Sequence, residues 1–242
     1  MKNNLTIILV FIGFGVFGQN IQIDTLNLKK IGHFKQSQND KMNYPIVNSG
    51  NNLIDSLINF DIKNKFTSNE FTSQSIDSTL IKWSDEQLAY LDFKVTYNKN
   101  GILSLNISGE GCGAYCTSWT DYYNYSTKTG KSLNIGEIID TTGNFKELII
   151  SQKNKQYKQQ RKELKKRLFD KNHPIDKETY NWALEYYEDC QKSFNIQTFA
   201  LYPDHLEIID NCYLPHAIRS MEPYIELKYK YSKIKKYLKI KN

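Results

Sequence analysis

At 242 residues, with 40% hydrophobic and 24% charged side chains, the chain can bury one sizeable core or two small lobes and is too apolar to be a disordered tract. Its net charge of +6 leaves room for an anionic partner. No dinucleotide fingerprint, phosphate loop, His-Glu-x-x-His or Gly-x-Ser-x-Gly stretch occurs in it, so the best-marked enzyme classes are excluded.

Residues 1–18 have the three parts of a secretory signal. Lys2 is the short positive region, Leu5 to Phe17 is a nearly pure apolar run, and Val16 and Gly18 precede a cut at Gln19. The run is 13 residues long; a spanning helix needs about 20. An uncleaved anchor is the alternative, and no Cys follows the run to carry a lipid. The expected location is periplasmic or secreted, which disfavours nucleic acid as a partner. Residues 19–242 are expected to form a single domain, divisible into a small lobe over 19–84 and a main lobe over 85–242.

Gln19 to Phe34 alternates in short stretches and reads as one or two strands, with a polar loop over Ser37 to Asn43. Tyr44-Pro45-Ile46-Val47 is extended, since Pro disfavours helix before it. Gly50 to Phe66 is an amphipathic helix in which Leu53, Leu57 and Phe60 join Ile54, Ile58 and Ile62 in one apolar stripe. Thr67 to Ser84 is polar, with two short extended candidates. The clearest hairpin pairs Leu88–Asn98 with Ile102–Ser108 around Asn100-Gly101. On its first strand Leu91, Phe93, Val95 and Tyr97 are expected to share one face. Trp119 to Thr127 is an aromatic third strand, Thr129-Gly130-Lys131 a turn, and Leu133-Asn134-Ile135 a return to the sheet.

A long basic helix covers Phe145 to Asp170 and ends at His173-Pro174. Lys146 to Lys171 holds ten Lys or Arg against three acids, and Lys228 to Asn242 holds seven Lys and no acid. This asymmetry fits two solvated helix faces, or an anionic partner such as a phosphorylated wall polymer or a lipid headgroup. Asp176 caps the next helix, Lys177 to Ser193, with Tyr180, Leu184 and Tyr187 on one face. A second hairpin, Asn195–Tyr202 with Leu206–Ile209, turns at Pro203-Asp204-His205. An alternating stretch over Pro223–Tyr231 and a short basic helix follow. Hairpins outnumber βαβ units, so the class is α+β: an antiparallel sheet with helices packed on it.

Four Cys in an exported chain allow two disulfides in three pairings. Cys112–Cys116 with Cys190–Cys212 is favoured, because a tight Gly-rich loop joins the first two and a helix packed on the following hairpin would bring the others together. The alternative is a zinc set of Cys112, Cys116, Cys212 and His216, which requires thiolates; no cofactor is expected. A Cys212–His216 nucleophile pair likewise needs a free thiol. Glu110, Asp121 and Asp140 are the acids beside the loop-rich region that could act as paired carboxylates. The aromatic strands are the stronger pointer. Tyr115, Trp119, Tyr122 and Tyr123, beside the Cys112–Cys116 loop, are the candidate binding residues for a protein or a glycan, although alternation along the strand sets Tyr122 opposite Tyr123.

Three stretches carry a family resemblance: Tyr44-Pro45-Ile46-Val47 with the helix after it; Val95 to Asn98, Leu103 to Leu105, the Gly111–Ala114 loop and Asn124 to Leu133; and Phe199 to Ile208 leading to Pro223–Leu227. In these the chain resembles the extracytoplasmic C-terminal domain of RsiV-type anti-sigma factors and of some peptidoglycan deacetylases, a domain of unknown function. The resemblance implies an antiparallel sheet with packed helices and a place in the cell envelope. In RsiV-type proteins such a domain binds a lysozyme; in the deacetylases it accompanies a catalytic domain, which is not expected in this chain. The family loop reads Gly-Gly-Ala-His, whereas this chain has Cys112-Gly113-Ala114-Tyr115, so a role of that His does not transfer. No cytoplasmic sigma-binding segment is expected before the domain, so an anti-sigma role is not expected to carry over. The expected function is non-catalytic binding of an envelope protein, such as a lysozyme-like hydrolase, or of a wall glycan.

Overall fold

The computed structural model describes residues 20–28, 41–84, 88–172 and 174–240. The expected signal sequence, His173 and the part of the first strand region beyond Leu28 lie outside them. The class is α+β, with three small antiparallel sheets and helices around them.

Strands β1 (Gln22–Asn27) and β2 (Asn43–Asn48) pair, and Met42 continues β2 by a parallel bridge to Leu91. Helix α1 (Asn52–Phe66) follows. Asn51 caps it, its carboxamide oxygen accepting from Leu53 N and Ile54 N at 3.1 and 3.3 Å, a contribution of about 1 kcal/mol. Only part of its expected stripe is inward. Ile58 and Ile62 are buried, while Leu53 and Phe60 are 69% and 54% exposed, because six apolar positions wrap more of a helix than one sheet face covers. Lys63 is buried and satisfied, its ammonium donating to the carbonyls of Phe71, Thr72 and Gln74 at 2.8–3.1 Å. The next stretch, Thr67 to Ser84, expected to be polar with two short extended candidates, contains helix α2 (Ile76–Ser84). Ser75 accepts from Ser78 N, and Ile76 and Leu80 reach the core one turn apart; this spacing outweighs the polar composition.

The central sheet orders β3 (Leu88–Lys99), β4 (Ile102–Cys112) and β5 (Cys116–Ser126). Asn100 and Gly101, at φ 56° and 78°, make the first turn. Leu91, Leu103, Leu105, Ile107, Tyr123 and Tyr125 point to one face and form a core with β2, α1 and Leu80. That core runs across position 84. Tyr97 does not join it. A bulge between Val95 and Tyr97 inserts Thr96 and turns Tyr97 to the opposite face, opposite Ser104. After the Gly130 turn the chain does not resume a strand: Ser132 makes a single bridge to Tyr125. Asn134 then opens the short α3 (Ile135–Ile138), donating its N–H to the Glu137 carboxylate at 2.9 Å, the spacing of a capping box.

Helix α4 (Asn144–Lys166) buries Phe145, Ile149, Lys153, Tyr157 and Leu164, and leaves Lys155, Lys158, Lys162 and Lys165 outward. Asp176 caps α5 (Lys177–Ser193), accepting from Thr179 N at 2.7 Å. The third sheet orders β6 (Phe199–Leu201), β7 (His205–Ile208) and β8 (Leu227–Lys230), with His205 opening β7 rather than lying in the turn. Helix α6 (Tyr231–Ile234) and a 3-10 turn follow.

Candidate functional site

The face of the central sheet opposite the first core is only half covered. At one end the third sheet lies on it: Asn124 Nδ2 donates to the Phe199 carbonyl at 2.8 Å, and Leu201 N donates to Ser104 Oγ at 3.1 Å. Side chains two residues apart share a face, so the same face continues through Ser108, Glu110, Ser118 and Thr120, to which no strand of the third sheet is hydrogen-bonded among the described residues. The Ser108 and Thr120 hydroxyls are 2.9 Å apart, and Ser118 Oγ donates to Glu110 Oε2 at 2.9 Å. With Tyr90 and Tyr213, and with Gly109 and Trp119 from the core-facing register positions at the end of the sheet, these residues line a shallow depression of about 370 Å³.

Two disulfides hold its walls. Cys112 and Cys116 are paired in register at the end of the β4–β5 hairpin, with Cα atoms 4.0 Å apart, and form the first. Its three-residue loop ends in Tyr115, 65% exposed, whose ring stacks on His216 at 4.4 Å between centroids. Arg219 Nη1 donates to the Cys116 carbonyl at 3.5 Å. The hairpin end is thus docked on the 3-10 turn His216–Met221. The second disulfide, Cys190–Cys212, ties α5 to the stretch that carries Tyr213.

The expected aromatic patch is divided by the strand. Tyr123 is buried in the first core and Trp119 packs against that core, whereas Tyr122 is on the other face. Burial pushes the Tyr122 phenol up to about 12, helped by the nearby phenol of Tyr202 and carboxylate of Glu207. Trp119 lies across Gly109, its register partner. A Cβ at Gly109 would stand 2.5 Å from Trp119 Cζ2 and 2.8 Å from Cε2, so the ring requires glycine there. Gly109→Ala must displace a rigid ring and is expected to cost about 1–3 kcal/mol, with an altered intrinsic fluorescence. An unchanged urea midpoint and emission spectrum would refute this packing.

No sequence motif marks Tyr213, and its place between Cys212 and His216 is the one local signal it carries. It is half-exposed at the rim of the depression. Glu110 and Asp121 lie on opposite faces of the sheet, and Asp140 accepts from Thr142 N and Oγ1. These three acids form no carboxylate pair. Burial raises the Asp121 carboxyl above its usual range. Glu110, Cys112 and Cys116 bring ligand-type atoms within 4.8 Å of one another, but both sulfurs are bonded to each other. Cys212 is likewise bonded, to Cys190. Neither a thiolate zinc set nor a Cys212 nucleophile exists in this oxidised state.

No family model matches the chain, and no curated protein does. Solved structures align with it. A member of the DUF3298 family from Bacteroides fragilis NCTC 9343 aligns over 91% of this chain and 95% of its own, with a TM-score of 0.55 and 13% identity. A DUF3298 family protein from Pseudomonas aeruginosa PAO1 aligns over 92% and 96%, with a TM-score of 0.47 and 13% identity. The Bacteroides likeness is one of fold. This chain is built like a domain of unknown function.

Proposed function

We propose that this chain is a non-catalytic, exported cell-envelope domain that binds another macromolecule, either a protein such as a lysozyme-like hydrolase or a wall glycan, through the open end of its central sheet. The shape of the depression carries the reading. It is shallow and broad, lined by hydroxyls, one carboxylate and aromatic side chains, whereas small-molecule sites enclose most of their ligand. Its walls are fixed covalently at two points, which lowers the ordering cost of association.

The envelope context is supported by the two disulfides, the chemistry of an oxidising compartment, and by the Lys2–Gly18 signal pattern. No helix among the described residues is long and apolar enough to cross a membrane. The resemblance to RsiV-type extracytoplasmic domains supports the same context and, through their lysozyme partner, a protein ligand.

The test compares the exported protein with a Ser118→Arg/Thr120→Arg variant, both exposed to envelope extract and to insoluble peptidoglycan. The wild type is expected to retain a protein or the glycan, and the variant to lose it while keeping its melting temperature. No retention in either arm, or equal retention by both proteins, overturns the proposal.

A further inference from the structure

Strand β5 is an outer strand of its sheet, and its backbone shows which groups face outward. Ser126 N donates to the Lys131 carbonyl and its carbonyl accepts from Gly130 N, while the Asn124 carbonyl accepts from Leu133 N. Residues 124 and 126 therefore turn their amides away from β4. The β4–β5 register runs without a shift from Ile102↔Ser126 to Cys112↔Cys116, so the same holds for every second residue back along the strand. The Cys116 carbonyl fits the pattern, since it accepts from Arg219 across the same edge. Between these ends, the N–H and C=O groups of Ser118, Thr120 and Tyr122 face outward, and none has a hydrogen-bond partner among the described residues. Beside them is the depression lined by Ser118, Thr120 and Tyr213.

Six unpaired backbone groups in a row are a template for another strand. Natural edges are shortened, bulged or covered; this one has no bulge against β4, is pinned at one end by Cys112–Cys116 and is bounded at the other by the Ser132 bridge, with Tyr213 beside it. We propose that the Ser118–Tyr122 edge binds its partner by strand addition, taking up an extended peptide segment as a fourth strand of the β3–β4–β5 sheet. This rests on the binding role proposed above and names the partner as a protein. The window of five residues spans roughly 14–17 Å, enough to order a short segment of a partner chain. Charge specifies the segment further. Asp121 and Glu110 form no ion pair among the described residues, and Asp121 is the central residue of the window. A residue of the added strand opposite Asp121 shares its face, so a Lys or Arg there meets a half-buried carboxylate that has no cation among the described residues.

The probe is a random peptide library displayed to the full exported chain, and the selected peptides are then measured against three variants. In Thr120→Pro the ring replaces an N–H that β4 does not use, so the sheet is kept and the edge is blocked. Thr120→Val keeps the backbone and removes the hydroxyl. Asp121→Asn removes the charge. The expected result is selection of alternating peptides with a basic residue, on the order of tenfold weaker or worse binding to Thr120→Pro, and little change for Thr120→Val. Asp121→Asn should erase the preference for the basic residue. Amide exchange gives a second readout that does not depend on any variant folding: the Ser118, Thr120 and Tyr122 amides should exchange quickly in the free protein and slow when peptide is bound. Peptide binding that leaves those three amides fast, or that Thr120→Pro leaves intact, overturns strand addition and keeps the binding role. Retention of peptidoglycan with loss in Thr120→Val, and no peptide selected, also overturns it, in favour of a glycan held by the hydroxyls. Absence of any ligand overturns both.

Discussion

Phe145→Ala is expected to lower the unfolding free energy by about 4 kcal/mol and the melting temperature by roughly 10 °C. Phe145 lies in the first turn of α4, completely buried, with its ring 5.2 Å from Tyr229 of β8 and 5.1 Å from Tyr237 beyond α6. One side chain therefore joins the long basic helix to the third sheet and to the C-terminal turn. Truncation removes a ring's worth of apolar burial and two ring–ring contacts. The space cannot be refilled cheaply, because Ile138, Ile149 and Leu227 of the same core are themselves in place and buried. Equilibrium unfolding in urea checks this; a loss below about 1 kcal/mol would mean that the cavity collapses and that the α4–β8 junction is softer than its packing indicates. Peptide or glycan binding at the open end of the central sheet should survive at temperatures where the variant remains folded.

Much of this architecture is legible from local signals. Asn100-Gly101 between two alternating runs specifies one hairpin, and the Asp176 cap with Tyr180, Leu184 and Tyr187 specifies α5. Where reading from sequence diverges, a local preference yields to a longer-range contact. Thr96 is an extra residue in its strand, and nothing in Val95-Thr96-Tyr97 announces a bulge; the contact that accompanies it is across the sheet, where the Thr96 hydroxyl donates to Ser104. Thr67 to Ser84 reads as polar with short extended candidates until the buried partners of Ile76 and Leu80 are supplied. The candidate site divides in the same way. Composition locates aromatic residues beside the Cys112–Cys116 loop. Alternation sends Trp119 and Tyr123 to one face and Tyr122 to the other, and only the third sheet's position decides which face stays open. Tyr213 reaches that opening from 87 residues beyond Ser126 along the chain, a distance no local pattern spans.

The two disulfides should have separable effects when each is removed. Cys190–Cys212 closes a separation of 22 residues and Cys112–Cys116 one of 4. Loop-closure entropy in the unfolded chain predicts a loss of about 3 kcal/mol for Cys190→Ala/Cys212→Ala, against about 2 kcal/mol for Cys112→Ala/Cys116→Ala. The first pair also fastens α5 to a buried cluster containing Tyr157, Tyr187 and Met221, where the Tyr187 hydroxyl donates to the Met221 carbonyl at 2.6 Å. Its removal is therefore expected to cost more in the urea midpoint. Binding should rank the other way. The short bridge fixes the end of the β4–β5 hairpin next to Ser118, keeps Cys112 and Cys116 in register and places Tyr115 against His216. Opening it frays the hairpin end that presents the outward amides while leaving the cores intact, so affinity falls further than stability does. If the short-bridge variant bound as tightly as wild type, preorganisation of the edge would not be what the Cys112–Cys116 loop provides. If it were the less stable of the two, the entropic account would fail for this domain and contacts made by the loop, above all the Tyr115–His216 stack, would have to supply the difference.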